Sequence, residues 1–170
     1  MNTSKVACLL FTVSMILISY SIMAASGESL YEGVCGETKN PDCLPLLKDD
    51  PRITSAKNYL DLSTFILEFG EKKAREGKEY MLQFAKDHPT ELITYCANNY
   101  ESPITSFLSA KAELIEDPRT ATYDALVAGD VPKQCAKAME EAKIDNPPIN
   151  KIVTLLSPIA YYAISHLVVI

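Results

Sequence analysis

Residues 56–84, AKNYLDLSTFILEFGEKKAREGKEYMLQF, carry a seven-residue repeat: Ala56, Ser63, Gly70, Gly77 and Phe84 recur at one phase, with Leu60, Leu67, Ala74 and Met81 interleaved four positions later. Alternating steps of four and three lay both sets along one stripe of an α-helix, the pattern of a helix-bundle seam. The small members Ser63, Gly70, Ala74 and Gly77 allow a neighbouring helix to approach closely. Close packing must then offset the helix propensity that two interior glycines forfeit. Period-2 alternation persists nowhere and Asn-Gly and Asp-Gly dipeptides are missing, so strands are not expected.

Downstream, Asp87-His88-Pro89-Thr90 breaks this helix, and Thr90 is placed to cap a second one carrying Leu92, Cys96, Tyr100, Phe107 and Leu114. Pro103 removes one of its backbone hydrogen bonds, which predicts a kink near Asn99 or two separate pieces. Glu116-Asp117-Pro118-Arg119 forms the next turn. A third helical region runs over 120–143 with a weak point at Gly129-Asp130-Val131-Pro132, and Asp145-Asn146-Pro147-Pro148 stops it. The last helix starts near Asn150, with Ser157-Pro158 either kinking it or restarting it. In it Ile152, Leu155, Leu156, Ile159, Ala163, Leu167 and Ile170 form a core-facing stripe, and the apolar run from Ile159 to Ile170 is too short to span a bilayer. Four long helices result.

Upstream, Lys5 precedes the apolar runs Val6 to Phe11 and Met15 to Ile18, which end in Ala24-Ala25-Ser26. This basic, apolar, small-residue order predicts a cleaved secretion signal over 1–25, which would also remove Cys8 and the one glycosylation sequon, Asn2-Thr3-Ser4. Four cysteines then remain, and in an oxidising compartment they read as two disulfides. The spacing favours Cys35 with Cys43, around a short segment, and Cys96 with Cys135, 39 positions apart in two helical segments. The latter bond would stabilise a bundle by roughly 2–4 kcal/mol. The segment 26–54 is too short to hold a core alone and should pack on the bundle at 55–170 or on a partner's equivalent segment.

Composition narrows the function. Without Lys5 the chain carries 15 basic and 22 acidic side chains, a formal charge of −7, and no basic cluster, which argues against nucleic-acid binding. The two histidines, His88 in a turn and His166 beside the last apolar stripe, belong to no metal-ligand pattern, so neither a metal nor a cofactor is expected. No nucleophile elbow, phosphate-binding loop or dinucleotide fingerprint occurs, and acidic pairs such as Asp49-Asp50 and Glu140-Glu141 read as solvated surface. With no catalytic residues to name, a secreted disulfide-linked bundle is expected to act by binding.

Two segments extend this reading. Val34-Cys35-Gly36-Glu37-Thr38-Lys39-Asn40-Pro41-Asp42-Cys43-Leu44-Pro45-Leu46-Leu47 is followed by Asp50-Pro51-Arg52, and Cys96-Ala97-Asn98-Asn99-Tyr100 places a tyrosine four positions after a cysteine. With Cys135 and the apolar run Ile159 to Leu167, these resemble the plant invertase and pectin methylesterase inhibitor family across the mature chain. The resemblance implies an all-α fold, an up-and-down four-helix bundle preceded by a disulfide-closed N-terminal helical hairpin. It also implies a non-enzymatic inhibitor in the apoplast or cell wall, with the vacuole as an alternative, in a 1:1 complex with a pectin methylesterase or an acid invertase. The chain departs from the pattern after Cys135, where Ala136-Lys137-Ala138-Met139 replaces an acidic pair and an aromatic, and at Pro103 and Pro132.

The resemblance supplies two candidate surfaces. Invertase inhibitors carry an Asp-Pro-Lys-Phe turn that reaches into the enzyme's active site, and Asp117-Pro118-Arg119-Thr120 stands at the same distance from the fourth cysteine, with Thr120 in place of the aromatic. A rigid turn presenting a cation suits the acidic centre of a glycosidase. Pectin methylesterase inhibitors instead cover the substrate cleft with the second and third helices, which points to Asn98, Asn99, Thr105, Ser109 and Glu113. The breadth of the family places pectin methylesterase slightly ahead as the expected target.

Overall fold

The computed structural model describes residues 28–168, so the expected secretion signal, Cys8, the sequon and Ile170 lie outside the described residues. Among those residues there are nine helices and no strand: α1 (Leu30–Thr38), α2 (Cys43–Leu47), α3 (Pro51–Thr54), α4 (Tyr59–Asp87), α5 (Glu91–Asn99), α6 (Glu101–Glu113), α7 (Pro118–Val127), α8 (Asp130–Glu141) and α9 (Pro148–Ser165).

Local chemistry sets most of the boundaries. Ser29 opens α1 through a capping box, its backbone N–H donating to Glu32 Oε2 at 3.0 Å and its hydroxyl to the same oxygen at 2.6 Å. Lys39, at φ 52° in the left-handed region, closes that helix. Asn58 caps α4 by accepting from the Asp61 N–H at 2.8 Å, and Thr90 caps α5 by accepting from the Ile93 N–H at 3.2 Å. Pro51, Pro118 and Pro148 each occupy a first helical position, where the missing N–H costs nothing.

The heptad line over 56–84 describes the middle of α4 and fails at its N-terminal end. Ser63, Leu67, Gly70, Ala74, Gly77 and Met81 are buried, but Ala56 precedes the helix and Leu60 is 38% exposed. A straight helix drifts about 20° per heptad from a strict seven-residue line, so Leu62 and Ile66 take the inward positions there. The two glycines do what their position in the seam suggests. A Cβ at Gly70 would lie 2.8 Å from the Phe107 ring, and one at Gly77 would overlap the Tyr100 ring. Bare backbone lets α4 and the second long helix meet around two fully buried aromatics.

That second helix is two pieces hinged at Tyr100, which ends α5 and opens into α6. Pro103, in the first turn of α6, has no N–H for the Asn99 carbonyl, and the broken ladder lets the chain turn the Tyr100 side chain inward. The third is likewise two pieces, α7 and α8. At that break a Cβ on Gly129 would come 2.9 Å from Ser157 Cβ, and the Ser157 hydroxyl donates to the Leu126 carbonyl at 2.7 Å. Pro158 does not divide α9, which runs through it with Ser157, Ile159 and Ala160 buried on either side.

Packing closes a square in which α4 meets α6 and α9, and α7 meets the same two helices. This is the up-and-down four-helix bundle, α5 and α8 continuing the second and third members. Both expected disulfides are present: Cys35–Cys43 joins α1 to α2, and Cys96–Cys135 joins α5 to α8 with its Cα atoms 5.8 Å apart. The N-terminal unit packs on the bundle. Arg52 pairs with Asp50 and with Glu68 of α4, each at 2.7 Å, and lies over the Phe65 ring. His166, past the end of α9, stacks on Tyr59 with ring centroids 4.0 Å apart and sits 2.7 Å from Glu37 of α1. Most of these charged groups remain partly exposed, so buried Val34, Leu47 and Ile53 contribute more to the docking than the ion pairs. No helix among the described residues is long and apolar enough to cross a membrane.

The last apolar stripe is rotated from the expected one. Leu156, Ile159 and Ala163 are buried as expected, but Val153, Ala160 and Ile164 join them, while Ile152, Leu155 and Leu167 are half-buried. Helix α9 contacts α4, α7, α8 and the hairpin helix α1, so it needs a broader apolar arc than a two-helix seam.

Candidate functional site

The two surfaces drawn from the sequence meet at the corner between α6 and α7. Asp117 is the N-cap of α7: its carboxylate accepts from the Thr120 N–H at 3.1 Å and from the Thr120 hydroxyl at 2.7 Å. These bonds from Thr120, with the nearby Arg119 charge adding to them, hold the Asp117 carboxyl below the usual carboxylate range. Thr120 is therefore spent on the cap. Pro118 fixes the first helical position, and Arg119 projects with no ion-pair partner among the described residues. The Asp117 N–H donates back to the Glu113 carbonyl at 2.9 Å, so the end of α6 runs directly into this turn.

Along α6, Thr105, Ser109 and Glu113 recur every four residues and share one side of the helix, Glu113 half-buried and the other two exposed. The Thr105 hydroxyl donates to the Ser102 carbonyl at 2.9 Å, leaving its oxygen free to accept from outside. Asn98 and Asn99 belong to α5, on the other side of the Tyr100 hinge. Asn98 is exposed, whereas the Asn99 side-chain amide donates to the Tyr95 carbonyl at 2.8 Å. The five polar candidates thus divide into a set of three that continues into the Asp117 turn and a pair set apart from it.

Four exposed apolar residues on α6, α7 and the turn between them were missed in the sequence reading. Ile115 in the turn is 75% exposed, Tyr123 and Leu126 on α7 are 65% and 47% exposed, and Leu108 on α6 is 36% exposed. A signal for two of them was present in the sequence. Ala121, Ala125 and Ala128 form the buried line of α7, and that spacing turns Arg119, Tyr123 and Leu126 outward at intervals of four and three. Small inward residues bring α7 close to the bundle while its larger side chains face solvent, the reverse of an ordinary amphipathic helix.

The main concavities are elsewhere. A groove of about 700 Å³ lies between the hairpin, α8 and α9, with Leu46, Ala136, Ile152 and Leu155 in its walls and Lys133 and Lys151 at its edge. Among the described residues, no group of three or more His, Cys, Asp or Glu side chains is arranged to hold a metal ion. His88 caps the C-terminus of α4, its ring 4.5 Å from that of Phe84, and His166 braces the hairpin. The α6–α7 corner thus carries Arg119, the carboxylates of Glu113, Glu116, Asp117 and Asp124, exposed hydroxyls and exposed apolar side chains, a chemistry suited to recognition. Compared with known proteins, the chain matches no protein-family model and no curated sequence.

Proposed function

We propose that this protein is a secreted, stoichiometric inhibitor of a plant cell-wall enzyme, a pectin methylesterase in the first instance, whose substrate cleft is covered by the outer face of the second and third long helices. The observation that carries the reading is that α6, α7 and the turn between them expose Leu108, Ile115, Tyr123 and Leu126 as well as Thr105 and Ser109, on a scaffold held by two disulfides. Aromatic, arginine and aliphatic anchors ringed by small polar groups are the composition of energetically productive interfaces. A crosslinked bundle loses little conformational entropy when it docks, which favours tight complexes. The two disulfides suggest an oxidising, extracellular location, within which the apoplast is the compartment proposed.

A second reading directs the same corner at an acid invertase. Its support is Arg119, an exposed cation on a proline-rigidified turn whose neighbouring carboxylate is engaged by Thr120. A third keeps the scaffold as an extracellular interaction protein without inhibitory activity, motivated by the altered segment after Cys135. Titrating the purified, oxidised protein into a panel of pectin methylesterases and acid invertases separates the three. The expected result is complete inhibition of one pectin methylesterase near equimolar ratio. Inhibition confined to invertases and lost in Arg119→Ala selects the second reading, and no inhibition across the panel selects the third.

A further inference from the structure

We infer that the groove between the hairpin, α8 and α9 binds a small amphiphile, an apolar chain ending in an anionic head such as a carboxylate. The inference does not depend on the inhibitory reading, which uses α6 and α7. At about 700 Å³ the groove has the size of a small-molecule site, and Leu46, Ala136, Ile152, Leu155 and Pro158 make its walls mainly apolar. Ile152 and Leu155 belong to the stripe expected to face the core, and they are half-buried because the groove leaves one side of each open.

Local charge identifies the head group. Lys133 and Lys151 line both this groove and an adjoining concavity of about 750 Å³, so they stand together where the two meet. Both are exposed, and neither forms a salt bridge among the described residues. Among those residues Asp42, in the hairpin wall, is the carboxylate lining the groove, which leaves two cations against one anion. The adjoining concavity adds Lys137 and Lys143 against Glu140 and Asp145. The two hollows together thus carry four lysines and three carboxylates, a positive excess on a chain whose formal charge is −6. Pro148 and Lys151 bring the first turn of α9 into the wall, and the positive end of its helix dipole adds to this excess.

The chain's departure after Cys135 falls at this place. Ala136 of the Ala136-Lys137-Ala138-Met139 segment lines both hollows and Lys137 lines the second. A methyl group there leaves the groove open, and neither position carries a carboxylate to repel an anion.

Calorimetric titration of the purified, oxidised protein with laurate and with dodecyltrimethylammonium, both below their micelle concentrations, tests the inference. The tails match and the heads are opposite in charge. Because the chain is acidic overall, non-specific attraction favours the cationic head, so a preference for laurate reports the local lysines. Laurate is expected to saturate at one molecule per chain and to bind at least about 10-fold more tightly than the cation. The double variant Lys133→Gln/Lys151→Gln should weaken laurate about 10-fold, and Ala136→Trp, which fills the groove from α8, should abolish its binding. Tyr123→Ala, on α7, should bind laurate as wild type does. The two lysines are exposed, so their double variant tests the site even where Ala136→Trp lowers the melting temperature. Equal binding of the two amphiphiles, or laurate binding unchanged in the lysine variant, would overturn the inference. Concentration-dependent self-association of the wild type that is lost in the lysine variant would also overturn it, by giving the groove to a second copy of the chain.

Discussion

Replacing glycine by alanine should change sign along this chain. In a helix interior the substitution normally stabilises by about 1 kcal/mol, because alanine restricts the unfolded backbone more than glycine does. Gly36 in α1 is exposed and an added Cβ meets nothing within 4 Å, so Gly36→Ala should realise most of that gain. At Gly70 the new carbon would fall 2.8–3.0 Å from three atoms of the buried Phe107 ring, and at Gly77 it would penetrate the buried Tyr100 ring further. Overpacking a well-filled core costs typically about 1–3 kcal/mol. Taking the middle of that range at Gly70 and its top at Gly77, and subtracting the propensity gain, gives net losses of about 1 and about 2 kcal/mol. In a domain of this size those losses lower the melting temperature by about 4 °C and about 8 °C, while Gly36→Ala raises it by a few degrees. Chemical and thermal denaturation of the three oxidised variants, read by far-ultraviolet circular dichroism, would measure this. A double-mutant cycle sharpens it: Gly77→Ala should cost less in a Tyr100→Phe background, because the tyrosine hydroxyl is one of the three atoms overlapped. A stabilising Gly77→Ala, or costs at Gly77 and Tyr100 that simply add, would refute the claim that bare backbone at Gly77 seats Tyr100.

Three further outcomes are expected. Removing the Cys96–Cys135 bond as the double serine variant should cost about 4 kcal/mol on loop-entropy grounds, more than loss of the Cys35–Cys43 bond at about 2.5 kcal/mol; denaturant midpoints would reverse that order if the hairpin clasp were the main staple. Burial holds the Tyr100 phenol well above its ordinary range, so the folded state keeps a proton that the unfolded state releases near pH 10. Stability should therefore be constant across neutral pH and fall as pH rises past about 10. Tyr100→Phe should lose part of that alkaline decline, and an unchanged decline would assign it to other groups. Ser157→Ala deletes the donor to the Leu126 carbonyl at the α7–α8 break and should cost about 1–2 kcal/mol, with hydrogen exchange accelerating first around Leu126 to Gly129; uniform acceleration across the bundle would contradict a local role.

The candidate site was less legible than the scaffold that carries it. Asp117, Pro118 and Arg119 stood out because Asp-Pro is a local stop and start signal, and the structure uses it that way, with Asp117 as cap and Pro118 as first helical residue. The small polar residues of α6, with Asn98 and Asn99, came from the family resemblance, and the break expected from Pro103 was not carried through to which of them share a side. The hinge at Tyr100 separates the pair, and Asn99 spends its amide on the Tyr95 carbonyl. Tyr123 and Ile115 escaped notice because an aromatic or aliphatic side chain in a helical protein reads as core. Only the inward line of alanines at 121, 125 and 128 shows that α7 turns its larger residues outward.

By itself the sequence determined the all-α class, the main breaks between the long helices at Pro89, Asp117-Pro118 and Pro147-Pro148, and the favoured cysteine pairings. Each is a property of a few neighbouring residues: a missing N–H, a side-chain cap, an apolar period, or the length of the loop that a disulfide closes. The tertiary structure alone decided which irregularities matter. Pro103 accompanies a hinge and Pro158 does not, although each removes one backbone hydrogen bond, because at Pro103 the hinge residue Tyr100 fills the space left by Gly77, whereas Ser157, Ile159 and Ala160 hold α9 against its neighbours on both sides of Pro158. It also decided which side of α7 meets solvent. Those outcomes depend on contacts between residues far apart in the chain, where the free energy of filling a particular space outweighs any local preference.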